Sequence, residues 1–157
     1  MINYKVGVDV GSTTVKIAVL DEENNLVYSK YQRHFSDIKS TIINLITDCF
    51  DAMGNIICTI NITGSGGLSI SKWLNINFVQ EVIACSKTVE TLIPQTDVVI
   101  ELGGEDAKIT YFRGGIEQRM NGSCAGGTGA FIDQMASLLN TDASGLNEYA
   151  KDYKVIY

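Results

Sequence analysis

Short runs rich in β-branched and aromatic residues open the chain: KVGVDV at 5–10, TVKIAVL at 14–20 and LVYSKY at 26–31. They predict three strands, and the intervening GST and DEENN segments have turn chemistry. Strands joined so tightly predict an antiparallel meander. The apolar period then lengthens. Ile38, Ile42, Leu45, Ile46, Cys49, Phe50 and Met53 share one helical stripe, with Ser36 or Asp37 placed to cap its start and Gly54 to end it. NIICTINIT (55–63) reads as a buried strand closing in the turn GSGG, LSISKWL as a short helix and NFVQE as a further strand. VIACSKTVETLI then reads as a helix stopped near Pro94, so the order βββαβαβα is complete by residue 95.

The same pattern restarts at once. DVVIELGG (97–104), AKITYFRG (107–114) and GIEQRM (115–120) form a second set of predicted strands. A helix follows, starting at Gly127 or Thr128 and carrying Phe131, Ile132, Met135, Leu138 and Leu139. The tail TDASGLNEYAKDYKVIY reads as a short helix and a strand. The expected organisation is α/β, with one mixed-sheet lobe over residues 1–95 and the truncated beginning of a second over 96–157.

The two starts can be laid over each other as VGVDVGSTTVKIAVL and VVIELGGEDAKITYF. In each, a strand ends in an acid (Asp9, Glu101), glycines turn the chain (Gly11; Gly103 and Gly104) and a lysine follows on the next strand (Lys16, Lys108). Two such hairpins facing each other would clamp a polyphosphate. Backbone N–H groups of the turns can approach phosphate oxygens, the hydroxyls of Ser12, Thr13 and Thr14 add donors, and the carboxylates can hold Mg²⁺ through water. One such hairpin is as readily a plain tight turn; two in register, each opening a three-strand set, favour the clamp.

Composition narrows the classes of function. In 157 residues of which 45% are apolar, the chain can bury one ordinary core, or one small domain and part of a second. A net charge of −6 gives no cationic field for nucleic acid or an anionic membrane. No apolar run is long enough for a signal peptide or a membrane span, which leads to the expectation of a cytoplasmic protein with reduced thiols at Cys49, Cys58, Cys85 and Cys124. Cys49 and Cys58 are assigned to the core, and Cys85 is placed in a helix as core rather than ligand. His34 stands alone between a strand and a helix cap and is read as a surface or hinge residue; Arg113 and Arg119 are read as solvated edge charges.

Cys124 is the exception. It lies in MNGSCAGGTGAF, a glycine-rich segment leading into a helix, where the helix dipole and unpaired N–H groups favour a thiolate. Gly126, Gly127 and Gly129 would let the backbone approach a bulky anion. As a bare signal, such a cysteine is more often an inert small residue packed in a turn.

DVGSTTVK, ELGGEDAK and NGSCAGGTGAFIDQMA together resemble the phosphate-1, phosphate-2 and cluster-loop segments of the activator ATPases of 2-hydroxyacyl-CoA dehydratases, grouped with the ATPase subunits of benzoyl-CoA reductase. The resemblance runs from about residue 5 to 140 and is strongest to large activase-type members, in which such a module is the N-terminal part of a longer polypeptide. It implies the fold of the acetate kinase, heat-shock protein and actin superfamily, built from two ribonuclease H-like domains. It also implies ATP or ADP bound with Mg²⁺, held by Gly11, Ser12, Thr13, Thr14, Lys16, Gly103, Gly104, Asp106 and Lys108, with Asp9 and Glu101 toward the metal. Finally it implies a homodimer sharing one [4Fe-4S] cluster at the subunit interface, with Cys124 matching the first of two ligands from each subunit and the second lying beyond Tyr157. Hydrolysis would change the angle between lobes and drive an electron into a partner iron-sulfur dehydratase or reductase acting on an acyl-CoA.

Two positions depart from the family pattern, which commonly has Asp where Glu101 stands and Gln where Glu105 stands. A carboxylate at Glu105 could accept a proton from attacking water, or repel the γ-phosphate and slow the reaction. The runner-up function is a sugar or carboxylate kinase of the same superfamily, and a third is an actin-like nucleotide-binding scaffold; both predict no iron. Because the adenine site and the second cluster ligand are expected outside this span, the 157 residues alone are expected to bind nucleotide weakly or not at all and to carry no cluster.

Overall fold

The computed structural model of the protein describes residues 3–122 and 127–156. The chain divides into two compact units, Met1–Gln95 and Thr96–Tyr157. In the first, β1 (Asn3–Val10), β2 (Thr14–Leu20) and β3 (Leu26–Arg33) form an antiparallel meander. After them come α1 (Ile38–Met53), β4 (Ile57–Thr63), α2 (Gly67–Leu74), β5 (Asn77–Phe78) and α3 (Glu81–Leu92). The sheet order is β3-β2-β1-β4-β5, with β4 parallel to β1 and β5 parallel to β4. This is the mixed-sheet βββαβαβα arrangement expected of a ribonuclease H-like lobe.

Alternation along β1 and β2 puts Val6, Val8 and Val10 together with Val15, Ile17 and Val19 in the core, closed by Ile42, Leu45 and Cys49 of α1 and Ile62 of β4. Leu45, Val10, Val15 and Val19 are fully buried, each contributing roughly 1.5–3 kcal/mol. Local signals fix the ends of α1. The Asp37 carboxylate accepts the Ser40 N–H at its start, and Gly54, at φ 69°, returns its own N–H to the Phe50 carbonyl at its end. Ile46 and Phe50 are exposed: the predicted stripe is wider than the strip of helix facing the sheet, which Ile42, Leu45 and Cys49 fill.

The expectation that β4 is a buried strand is corrected. Cys58 is exposed, Ile60 half-buried and Ile62 buried. The reason is register: the core is built over Val6–Val10, whose partners on β4 begin at Ile60, whereas Cys58 pairs with Tyr4 ahead of that block. Cys58 is therefore not a core residue. At the end of α3 the chain leaves the helical region at Ile93 (φ −139°, ψ 58°), in keeping with the bias on a residue before proline.

In the second unit β6 (Val98–Leu102), β7 (Ala107–Tyr111) and β8 (Glu117–Met120) form another antiparallel meander, followed by α4 (Gly129–Leu138) and α5 (Ala143–Ala150). Val98, Ile100 and Leu102 occupy the places of Val6, Val8 and Val10, yet they are exposed. The helix after this meander, α4, buries only Ala136, whereas α1 buries Ile42, Leu45 and Cys49 with the first sheet. The tail forms the expected helix, capped by the Asp142 carboxylate accepting from Gly145 N–H. It forms no strand over 151–156, where none of the described strands pairs with it. Among the described residues, no helix is long and apolar enough to cross a membrane.

Candidate functional site

The acid and lysine of each hairpin are cross-strand partners: Asp9 faces Lys16 and Glu101 faces Lys108. Alternation turns both residues of the first pair away from the buried valines. Lys16 Nζ lies 2.7 Å from Asp9 Oδ2, on a partly exposed surface. In the second hairpin Lys108 is buried (8% exposed) and faces two carboxylates, Asp106 at 3.3 Å and Glu101 at 3.8 Å. A lysine so withdrawn from water is held by the acids around it.

Both glycine turns close in the same way. Gly11 N–H donates to the Thr14 carbonyl at 2.9 Å, and Gly103 N–H donates to the Asp106 carbonyl at 2.8 Å. Asp106 thus stands where Thr14 stands in the first turn. Its carboxylate folds over the turn, since a Cβ on Gly103 would lie 2.4 Å from Asp106 Oδ1. Ser12 and Glu105 are exposed, Thr13, Gly11 and Gly104 half-buried, and Thr14 buried.

A third element reaches Asp9 that the sequence reading treated only as a turn. Because β4 runs parallel to β1, Thr63 is the register partner of Asp9, and the following loop folds over the end of β1. Gly66 N–H donates to the Val10 carbonyl at 2.9 Å. Gly64 has φ +93°, and a Cβ there would lie 2.3 Å from Val10 O and 2.6 Å from Asp9 Oδ1. The signal was the parallel pairing itself, which brings carboxyl ends of neighbouring strands to one edge.

In the second unit the Gly103 and Gly104 carbonyls accept from the N–H groups of Gly129 and Ala130, at 3.0 and 2.7 Å. Thr128, the N-cap residue, is fully buried, and its hydroxyl makes no capping bond. The first amides of α4 are therefore not unpaired, which corrects the expectation of open donors at this helix start. Cys124 itself lies outside the described residues, so its expected role rests on sequence.

The chain matches the BadF/BadG/BcrA/BcrD ATPase family over residues 6–152. It belongs to that family. The activator of lactoyl-CoA dehydratase from Anaerotignum propionicum is 30% identical over 156 residues, covering 95% of this chain and 60% of that protein. Component A of the (R)-2-hydroxyglutaryl-CoA dehydratase of Acidaminococcus fermentans superimposes with a TM-score of 0.85 at 25% identity, over 98% of this chain and 61% of the other. The activator of the 2-hydroxyisocaproyl-CoA dehydratase from Clostridium difficile, solved with bound ADPNP, gives 0.82 at 26% identity, over 98% and 59%. The chain thus spans about 60% of the length of these relatives.

The remaining residues singled out by sequence fall away from the hairpins or change role. Cys49 is buried, and burial pushes its thiol pKa up. Cys85 is half-buried on α3. Arg113 pairs with Asp97 and Arg119 with Glu117 on exposed surface. Among the described residues, no three His, Cys, Asp or Glu side chains gather as a metal cage. His34 is corrected: it is buried, with its ring against the first glycine turn. Burial follows from where β3 ends, since Thr14 pairs with Arg33 and the next residue is drawn under the turn.

Proposed function

We propose that this chain is the nucleotide-handling part of an ATPase that activates an iron-sulfur dehydratase or reductase acting on an acyl-CoA. One observation carries the reading: an acid, a glycine turn closed from its first to its fourth residue, and a lysine opposite the acid are built twice. Such turns suit an anion with several oxygens. In this reading Gly11, Ser12, Thr13, Thr14 and Lys16, with Gly103, Gly104, Asp106 and Lys108, hold the phosphates of ATP or ADP. Glu105, exposed in its turn, accepts the proton of the attacking water.

Magnesium fits the donor set. Asp9 and Glu101 offer hard carboxylate oxygens, and this ion is commonly held by one or two carboxylates with phosphate and water completing its shell. When bound, it would neutralise charge on the phosphates. For a [4Fe-4S] cluster, Cys124 contributes one thiolate of the four such a group takes. The chain is thus a contributor only, with further ligands from a second cysteine outside this span and from the partner protomer of a homodimer. When bound, the cluster would supply the electron passed to the dehydratase. Nucleotide can gate that transfer only by binding one conformation more tightly than another. The relatives named above are dehydratase activators, which disfavours a small-molecule kinase.

The test uses the full-length protein, reconstituted anaerobically with iron and sulfide. Expected are ATP hydrolysis, reduced by about 100-fold in Asp9→Asn, and a visible charge-transfer band that Cys124→Ala removes while ADP binding persists. A folded protein with neither hydrolysis nor iron would refute the proposal.

A further inference from the structure

His34 is the single histidine of the chain, and the catalytic reading makes no use of it. It is 7% exposed and all four of its polar groups are engaged. Its Nδ1 accepts the Ser36 N–H at 3.0 Å. A neutral ring accepting there carries its proton on Nε2, which points at the Gly11 carbonyl 3.3 Å away. On the main chain, His34 N–H donates to the Thr13 carbonyl at 3.2 Å, and its carbonyl accepts the Asp37 N–H at 2.6 Å. To close this knot, Phe35 and Ser36 adopt φ values of 43° and 70°, a region that residues other than glycine ordinarily avoid. Left-handed backbone at two successive positions is a departure that asks for a purpose.

We propose that His34 is a positioning residue for the phosphate-1 turn, an inference that rests on the nucleotide-site reading above. A peptide unit is planar and trans, so the Gly11 carbonyl and the Ser12 N–H point in opposite directions. Drawing the carbonyl toward the buried imidazole therefore aims the Ser12 N–H away from it, out of the exposed side of the turn. The Thr13 carbonyl is withdrawn by His34 and the Thr14 carbonyl by Gly11. Three carbonyls that would repel a phosphate are thus occupied internally. Without the ring the Gly11 carbonyl loses its partner, and the Gly11–Ser12 plane can tilt until it presents an oxygen to the anion.

The test compares His34→Ala, His34→Gln and His34→Asn in the full-length protein, measuring ADP affinity calorimetrically without magnesium and stability by urea unfolding. Gln carries an amide to the reach of Nε2 and can still donate to Gly11. Asn places its oxygen near Nδ1, where it accepts from Ser36, but is too short for Gly11. His34→Ala is expected to weaken ADP by about tenfold. His34→Gln should recover affinity to within about threefold, and His34→Asn should recover the urea midpoint without recovering affinity. Should His34→Ala not fold, the Gln and Asn pair still decides the matter. Equal affinities in the Gln and Asn variants, with ADP bound by wild type, would overturn the role of His34 alone. A folded wild-type protein that binds no ADP would overturn the phosphate-site reading beneath it.

Discussion

Gly64→Ala is the sharpest probe of the loop that reaches Asp9. An added Cβ would sit 2.3 Å from Val10 O, 2.5 Å from the Val10 carbonyl carbon and 2.6 Å from Asp9 Oδ1. The first two are main-chain atoms of β1, fixed by pairing with Val15 on one side and by the Gly66 N–H on the other. The strand cannot yield, so the loop must. Alanine at φ +93° costs about 1–2 kcal/mol, and losing the Gly66 bond to Val10 adds about 1 kcal/mol. The expected destabilisation is about 2–3 kcal/mol, read as a lower urea midpoint by circular dichroism. Because Asp9 Oδ1 lies in the same crowded spot, magnesium-dependent ATP affinity should fall with it. Gly7→Ala is the control: it lies in β1, and a Cβ there meets nothing within 4 Å. It should leave stability unchanged or raise it by about 0.5–1 kcal/mol. If Gly64→Ala were as stable as Gly7→Ala and bound ATP like wild type, the packing of this loop against β1 would be refuted.

Other consequences follow from burial and capping. Under native conditions iodoacetamide should label Cys58 first, Cys85 more slowly and Cys49 last, because Cys49 is buried with a raised thiol pKa while Cys58 lies open. Peptide mass spectrometry reads the order, and faster labelling of Cys49 than of Cys58 would contradict the register of β4. Asp37→Ala should lower thermal stability near neutral pH. The Ser40 backbone amide holds the Asp37 carboxyl below its ordinary range, so its contribution is present above that range and lost as pH falls through the lowered value. The gap between wild type and Asp37→Ala should therefore narrow below about pH 4; a gap that widens in acid would exclude the cap.

What could be read from sequence was what is local. The meander, the α1 caps at Asp37 and Gly54, and the repeated acid, glycine turn and lysine each depend on neighbours a few residues apart. The residues misjudged depend on distant chain. His34 reads as a surface or hinge residue until β3 ends beside a turn 23 positions earlier. Cys58 has the apolar company of a core strand, and only its pairing with Tyr4 places it ahead of the covered block. Gly64 reads as an ordinary turn glycine, and its necessity comes from Val10 and Asp9. The glycines before α4 pointed to a close anion approach, but the partners of the first amides are carbonyls from Gly103 and Gly104.

That last pairing bears on how the second glycine turn and the start of α4 are coupled. Gly103 and Gly104 belong to the second glycine turn, read above as a phosphate turn, while Gly129 and Ala130 are the first residues of α4, five and six positions beyond Cys124. Two main-chain hydrogen bonds join them, each contributing about 1 kcal/mol. Displacing the turn without displacing the helix start would break both and strand four backbone groups, three of them on glycines. The low-energy response is for the turn and the first turn of α4 to move as one body. In the reading proposed above, a phosphate that reshapes the turn would act on the helix start through these two main-chain bonds.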